Sequence, residues 1–133
     1  MGLNNSVIKA GATSLGVTGG TDVTFKVNGV TVPNGIQLHN EGQADFRIRE
    51  NLTAKNRSPV AQKDGTYTKG KKQLTLVMPK LLASGVVQYN LIRIETEIHP
   101  ETTAAEALDI KLRGAQLLSD SDYDGFWAFG SLV

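Results

Sequence analysis

The sequence predicts an α+β fold in which an antiparallel sheet comes first and a helical C-terminal region covers one of its faces. Three observations carry this reading. Over the first hundred residues, short β-branched stretches are separated by Gly-Gly, Asn-Gly and Pro-Asn-Gly, which are turn signals. Three longer stretches then alternate apolar and polar side chains with a period of two. Pro100 closes the last of them, and Thr103-x-x-Glu106 has the spacing of a helix capping box. With 133 residues the chain fits one domain. It is read as a hairpin region (1–33), a main sheet (34–99) and a helical region (100–133).

Taken in order, Ser6–Lys9, Thr21–Val27, Gly29–Val32 and Gly35–His39 read as short strands, with Asn28-Gly29 as a hairpin turn. In Asp45–Leu52, Phe46, Ile48 and Leu52 share one face, opposite Asp45, Arg47, Arg49 and Asn51. In Lys71–Met78, Leu74, Leu76 and Met78 oppose Lys71, Gln73, Thr75 and Val77. In Val87–Ile98, Ile92, Ile94 and Ile98 oppose Tyr89, Leu91, Arg93, Glu95 and Glu97. A sheet with one covered face and one polar, largely basic face satisfies all three. The helix is expected from Thr103 to about Leu118, with Asp109 and Arg113 spaced for an i,i+4 ion pair. Its apolar residues spread over more than half the circumference, whereas one sheet buries only a ~100° stripe. The excess predicts a homodimer contact through Leu108, Leu112 and Ala115. The tail Phe126–Val133 holds the chain's one Trp and two of its four Phe, so it is expected to dock on its own chain or on a neighbour.

Composition narrows the function. Cysteine is absent, which excludes disulfides, thiol catalysis and thiolate metal sites, and two histidines are too few for a multi-histidine metal centre. No segment approaches the ~20 apolar residues of a membrane span, and Met1–Ser6 has neither the basic start nor the apolar core of a secretory leader. The spacing Met1-Gly2-x-x-x-Ser6 fits an acylation pattern only weakly. The net charge of +1 hides an uneven distribution. Residues 46–80 carry nine basic side chains against Glu50 and Asp64. A basic middle in a near-neutral chain fits either a polyanion-binding surface or a solvated lysine-rich segment.

Three groups of residues could carry chemistry. Arg47, Arg49, Lys71 and Arg93 supply charge for phosphates, while Tyr89 offers a ring on which an unpaired base can stack. Asn51, Gln73 and Thr75 add amides and a hydroxyl for base edges, so the set predicts an RNA-binding face. Asp120, Asp122 and Asp124 followed by Gly125 match the opening of a calcium loop. The twelfth position is Ser131 rather than Glu, and a structural turn is the favoured reading. No phosphate loop, nucleophile elbow or zinc pattern is present, so neither an enzyme nor a cofactor is expected.

This order of elements resembles the coat protein of single-stranded RNA bacteriophages of the levivirus type. Ser6–Ala10 and Thr21–Val27 look like the arms of that family's N-terminal hairpin. Gly35–His39 looks like its next strand, and Ala44–Ser58 like the long strand and basic turn after it. Lys71–Lys80 ends in Val77-Met78-Pro79-Lys80, similar to the family's strand ending in an apolar residue, Pro and Lys. Val87–His99 looks like the last strand and Thr102–Leu118 like the first helix. The connection Leu81–Val86 is shorter than the family's flexible loop, and the aromatic tail departs from its small-residue ending. The resemblance implies two C-terminal helices, a sheet continued across the dimer, and a T=3 icosahedral shell whose interior sheet face meets a single-stranded RNA genome. Two functions follow: a capsid protein that packages RNA, or a dimeric cellular RNA-binding sheet module that forms no shell.

Overall fold

The computed structural model describes Leu3–Leu132; Met1 and Gly2 of the acylation pattern, and Val133 of the aromatic tail, lie outside the described residues. The chain divides into a sheet unit, Gly20–Glu101, and a helical unit formed by Met1–Gly19 with Thr102–Val133.

The sheet unit is five antiparallel strands in sequence order: β1 (Phe25–Val32), β2 (Gly35–Asn40), β3 (Asn51–Arg57), β4 (Gly70–Leu81) and β5 (Val87–Ile98). The first hairpin turns at Pro33-Asn34, not at Asn28-Gly29. Pro33 presets its own φ, and Asn34 adopts the left-handed region at φ 58°. Asn28-Gly29 stays inside β1 as an irregularity between Val27 and Thr31, with Asn28 Oδ1 accepting from Val30 N–H at 3.0 Å. The local Asx turn is absorbed as a bulge because ladder pairs form on both sides of it. At Gly35 a Cβ would collide with the Ala54 carbonyl of β3, so the closest approach of these strands needs glycine.

The stretch from Asp45 is not a strand, which corrects the expected Asp45–Leu52 element. Asp45 Oδ1 accepts from Arg47 N–H at 3.0 Å, and Ile48 N–H donates to the Asp45 carbonyl at 3.2 Å. This turn diverts the backbone groups a ladder would need, and pairing starts only at Asn51. Phe46, expected on the covered face, is 80% exposed. The β4–β5 hairpin is the longest ladder, pairing Gly70–Leu81 with Val87–Ile98 across a turn closed by Leu82 N–H to the Val86 carbonyl at 2.9 Å. Pro79 is tolerated because β3 pairs with β4 only as far as Val77, so its missing N–H breaks no ladder bond on that side.

The helical unit holds α1 (Ala104–Ser119), a 3-10 turn (Ser121–Tyr123) and α2 (Asp124–Phe129). Thr103 is the N-cap: its Oγ1 accepts from Glu106 N–H at 3.2 Å and its hydroxyl donates to Glu106 Oε1 at 3.0 Å. Asp109 and Arg113 form the expected i,i+4 pair at 2.9 Å. Gly130 ends α2 in the left-handed conformation at φ 69°. Ser6–Ala10 forms no strand, a second correction. It runs extended as a strap, held by α1 and the turn after it. Val7 N–H donates to Asp122 Oδ2 at 2.9 Å, Lys9 N–H to Gln116 Oε1 at 2.7 Å, and Gly11 N–H to Asp109 Oδ1 at 2.8 Å.

Burial within the single chain is shallow. Among the described residues no large side chain is fully buried, and Leu112 and Tyr123, each 7% exposed, are the apolar residues that come nearest. On the apolar face of the sheet, Leu74 and Ile94 remain 47% and 44% exposed. Exposed apolar surface of this extent marks a site of interaction.

Candidate nucleic-acid interface

Directly paired residues of an antiparallel ladder point to the same side of the sheet, so the register assigns each face. One face carries Phe25, Leu38, Leu52, Leu76, Met78 and Ile92. The other is mostly polar, with the rows Gln37–Thr53–Thr75–Arg93, Gly35–Lys55–Gln73–Glu95, His39–Asn51–Val77–Leu91 and Arg57–Lys71–Glu97, interrupted by Val77 and Leu91, and with Tyr89 opposite Pro79. Six of the eight sequence-derived candidates (Asn51, Lys71, Gln73, Thr75, Tyr89 and Arg93) therefore share one surface.

Arg47 and Arg49 lie in the loop before β3, outside the ladder that assigns the face. Arg47 closes on Asp45, with Nη2 3.0 Å from Oδ2 and Nε 3.2 Å from Oδ1. Hydrogen bonds from Arg47 hold the Asp45 carboxyl below the usual range, and Asp45 in turn raises the guanidinium. Arg49 donates from Nε to the Gln43 carbonyl at 2.9 Å and from Nη2 to the Ala44 carbonyl at 3.2 Å, buttressing the loop before β3.

The shared surface is electrostatically divided. Lys71 Nζ lies 2.6 Å from Glu95 and 3.6 Å from Glu97, so two carboxylates offset its charge. Arg93 and Lys55 have no ion-pair partner among the described residues. Tyr89 is 66% exposed, an open ring on the same face. His39 is half-buried, and its Nδ1 has no hydrogen-bond partner among the described residues. Gln37 Oε1 is engaged by Asn28 Nδ2 at 2.9 Å. Sequence reasoning missed Thr53, Lys55 and Arg57. Carrying the alternation past Leu52 finds them, since they continue the parity of Asn51.

The other candidates are placed as follows. Leu108 is exposed and Ala115 half-buried, whereas Leu112 is covered within its own chain. Leu112 lines a cleft of about 200 Å³ with Lys9, Ala12, Ser14, Leu15, Gln116 and Asp120, all within the helical unit. The carboxylates after α1 build turns: Asp120 Oδ1 accepts from Asp122 N–H at 2.9 Å, and Asp122 holds the strap. No group of three His, Cys, Asp or Glu among the described residues is placed to hold a metal ion. Trp127 donates to the Leu117 carbonyl at 2.8 Å and packs edge-to-face on Phe126 with centroids 5.2 Å apart. That fixes the start of the aromatic tail inside the helical unit.

No family model and no curated protein matches the chain. Solved structures do. The virus-like particle of bacteriophage GQ-907 is 45% identical, covers 98% of both chains and superposes with a TM-score of 0.92. The virus-like particle of Wenzhou levi-like virus 4 is 21% identical over 95% of this chain and 85% of its own, with a TM-score of 0.66. That of Beihai levi-like virus 21 is 12% identical over 88% and 93%, with a TM-score of 0.68. The last two share the fold; the first shares the sequence along nearly its whole length. The chain therefore belongs to the coat proteins of levi-like phages, structural proteins of the capsid and not enzymes.

Proposed function

We propose that the chain dimerises with its sheet continued across the two subunits, assembles into an icosahedral shell of T=3 type, and packages single-stranded RNA in the host bacterial cytoplasm. The polar sheet face lines the interior and meets the RNA. One observation carries the RNA assignment: unpaired Arg93 and Lys55, the exposed Tyr89 ring, and Asn51, Gln73 and Thr75 share one surface through consecutive ladder pairs. Cations take phosphates, an open ring takes an unpaired base, and amides and hydroxyls read base edges. The exposed Leu74, Ile94 and Leu108 support self-association, as does the particle formed by the 45% identical relative.

The test is expression of the full chain, followed by light scattering and extraction of bound nucleic acid. Megadalton particles containing RNA are expected. Arg93→Gln should flatten the salt dependence of RNA affinity by about 0.7 in log–log slope. Tyr89→Ala should cost about 1–3 kcal/mol of binding at unchanged slope. A discrete dimer that binds RNA would select the cellular-module reading, and RNA-free particles would remove the packaging assignment.

A further inference from the structure

The connection between β3 and β4 is an ordered arm. Residues 58–69 fold back on themselves: Thr68 N–H donates to the Val60 carbonyl at 2.9 Å, Gln62 N–H to the Thr66 carbonyl at 2.7 Å, and Val60 N–H to Thr68 Oγ1 at 2.9 Å. Ala61 and Tyr67 pair across it. Asp64 closes the tip, its Oδ1 accepting from Thr66 Oγ1–H at 2.6 Å and Thr66 N–H at 3.1 Å. Those bonds hold the Asp64 carboxyl below its usual range, so it stays ionised within the turn.

Two exposed cations stand on this arm, Lys63 and Lys69, and a third, Lys72, lies at its base. None has an ion-pair partner among the described residues, and Asp64 is the one acid between positions 57 and 72. The Tyr67 ring is 56% exposed. At the base of the arm, the row Arg57–Lys71–Glu97 and the adjoining Glu95 lie between it and Arg93. Two carboxylates thus separate the arm from the Arg93–Tyr89 part of the sheet.

We infer that this arm is a second RNA contact, distinct from the sheet face, that takes the phosphate backbone without regard to sequence and stacks one unpaired base on Tyr67. The inference rests on the RNA-packaging reading and adds a separate site to it. Cations on a stiff hairpin track a backbone, and a ring accepts any base through its π-face, which together define sequence-tolerant single-strand binding. A duplex offers no unpaired base to such a ring.

The experiment uses the full-length protein with 20-nucleotide uridylate and cytidylate oligomers at several salt concentrations. Lys63→Gln/Lys69→Gln should reduce the log–log salt slope by about 1.4 on both oligomers, about 0.7 for each lost phosphate contact. Tyr67→Ala should weaken both by about tenfold at unchanged slope. Melting should stay unchanged, and Arg93→Gln should add its own loss to that of the arm variant. Parent-like binding by both arm variants, beside a parent that binds and packages RNA, overturns the arm alone. A parent that binds neither oligomer overturns the packaging reading and the arm with it. An equal slope change per charge from Lys111→Gln, on the helical unit, would mean that net charge rather than the arm sets affinity, and would also overturn it.

Discussion

Gln116→Glu tests how the strap is held. In the native chain the Gln116 carboxamide accepts from Lys9 N–H at 2.7 Å and donates from Nε2 to the carbonyls of Lys9 and Leu112 at 3.0 and 3.2 Å, with the residue only 7% exposed. A carboxylate has the same shape and keeps the acceptor. It replaces the donor with a charged oxygen aimed at two carbonyl oxygens. Leaving a shielded acceptor without its donor costs about 1–3 kcal/mol. At about 1.4 kcal/mol per decade, strap opening rises roughly 5- to 150-fold. The assay is amide exchange at Lys9 in the intact protein, expressed as protection relative to the parent from pH 4 to pH 8. The facing carbonyls and the burial disfavour the charged form, so the folded pKa of the introduced carboxyl lies above its unfolded value of ~4.3. Below ~4.3 the protonated group restores one of the two donated bonds, and protection comes closest to the parent. As pH rises through the folded pKa, protection falls. A loss that is the same at every pH, or no loss, would refute the described clamp.

Other consequences are simpler. Thr103→Ala removes the cap of α1 and should cost about 1 kcal/mol, read as faster exchange of the Glu106 amide. Gly35→Ala drives a methyl into the Ala54 carbonyl and should destabilise the sheet by about 1–3 kcal/mol, with a lower melting temperature as the readout. Asp109 is held below the usual carboxylate range by the Gly11 N–H first and by Arg113 second. A depressed folded pKa contributes stability that is present above the unfolded value of ~3.9 and is lost as pH falls through the folded one. Protection of the Gly11 amide should therefore hold at pH 5 and decline below about pH 4, a step that Asp109→Asn abolishes.

Legibility in the sequence followed the range of the interactions involved. The alternation in Lys71–Met78 and Val87–Ile98 was readable because both strands pair along twelve residues with one polar side, and six of eight RNA-face candidates came from that parity and from Asn51. Period-two counting does not register the turn that an aspartate forms with an arginine two residues on, so it carries the strand back to Asp45, where the structure has a loop. Asn28-Gly29 was a genuine local turn signal outweighed by the ladder around it. The strap was unreadable for another reason. Its partners are side chains at 109, 116 and 122, about a hundred residues away, and they engage its backbone, which leaves no mark on the pattern of residue types. The same contact hid the covering of Leu112, whose place in an over-wide helical stripe suggested an intersubunit contact.

Fastening by main-chain groups sets which changes the strap can absorb over evolutionary time. Among the described residues the amides of Val7, Lys9 and Gly11 are held and those of Ile8 and Ala10 are not, so the segment has alternating rigid and permissive positions. Side-chain identity can drift there with little effect on the clamp. Proline can enter at 8 or 10, where no N–H is used, and is barred at 7, 9 and 11, where it would delete a donor. Divergent relatives that retain this strap should accordingly vary freely in its side chains while proline avoids every second position.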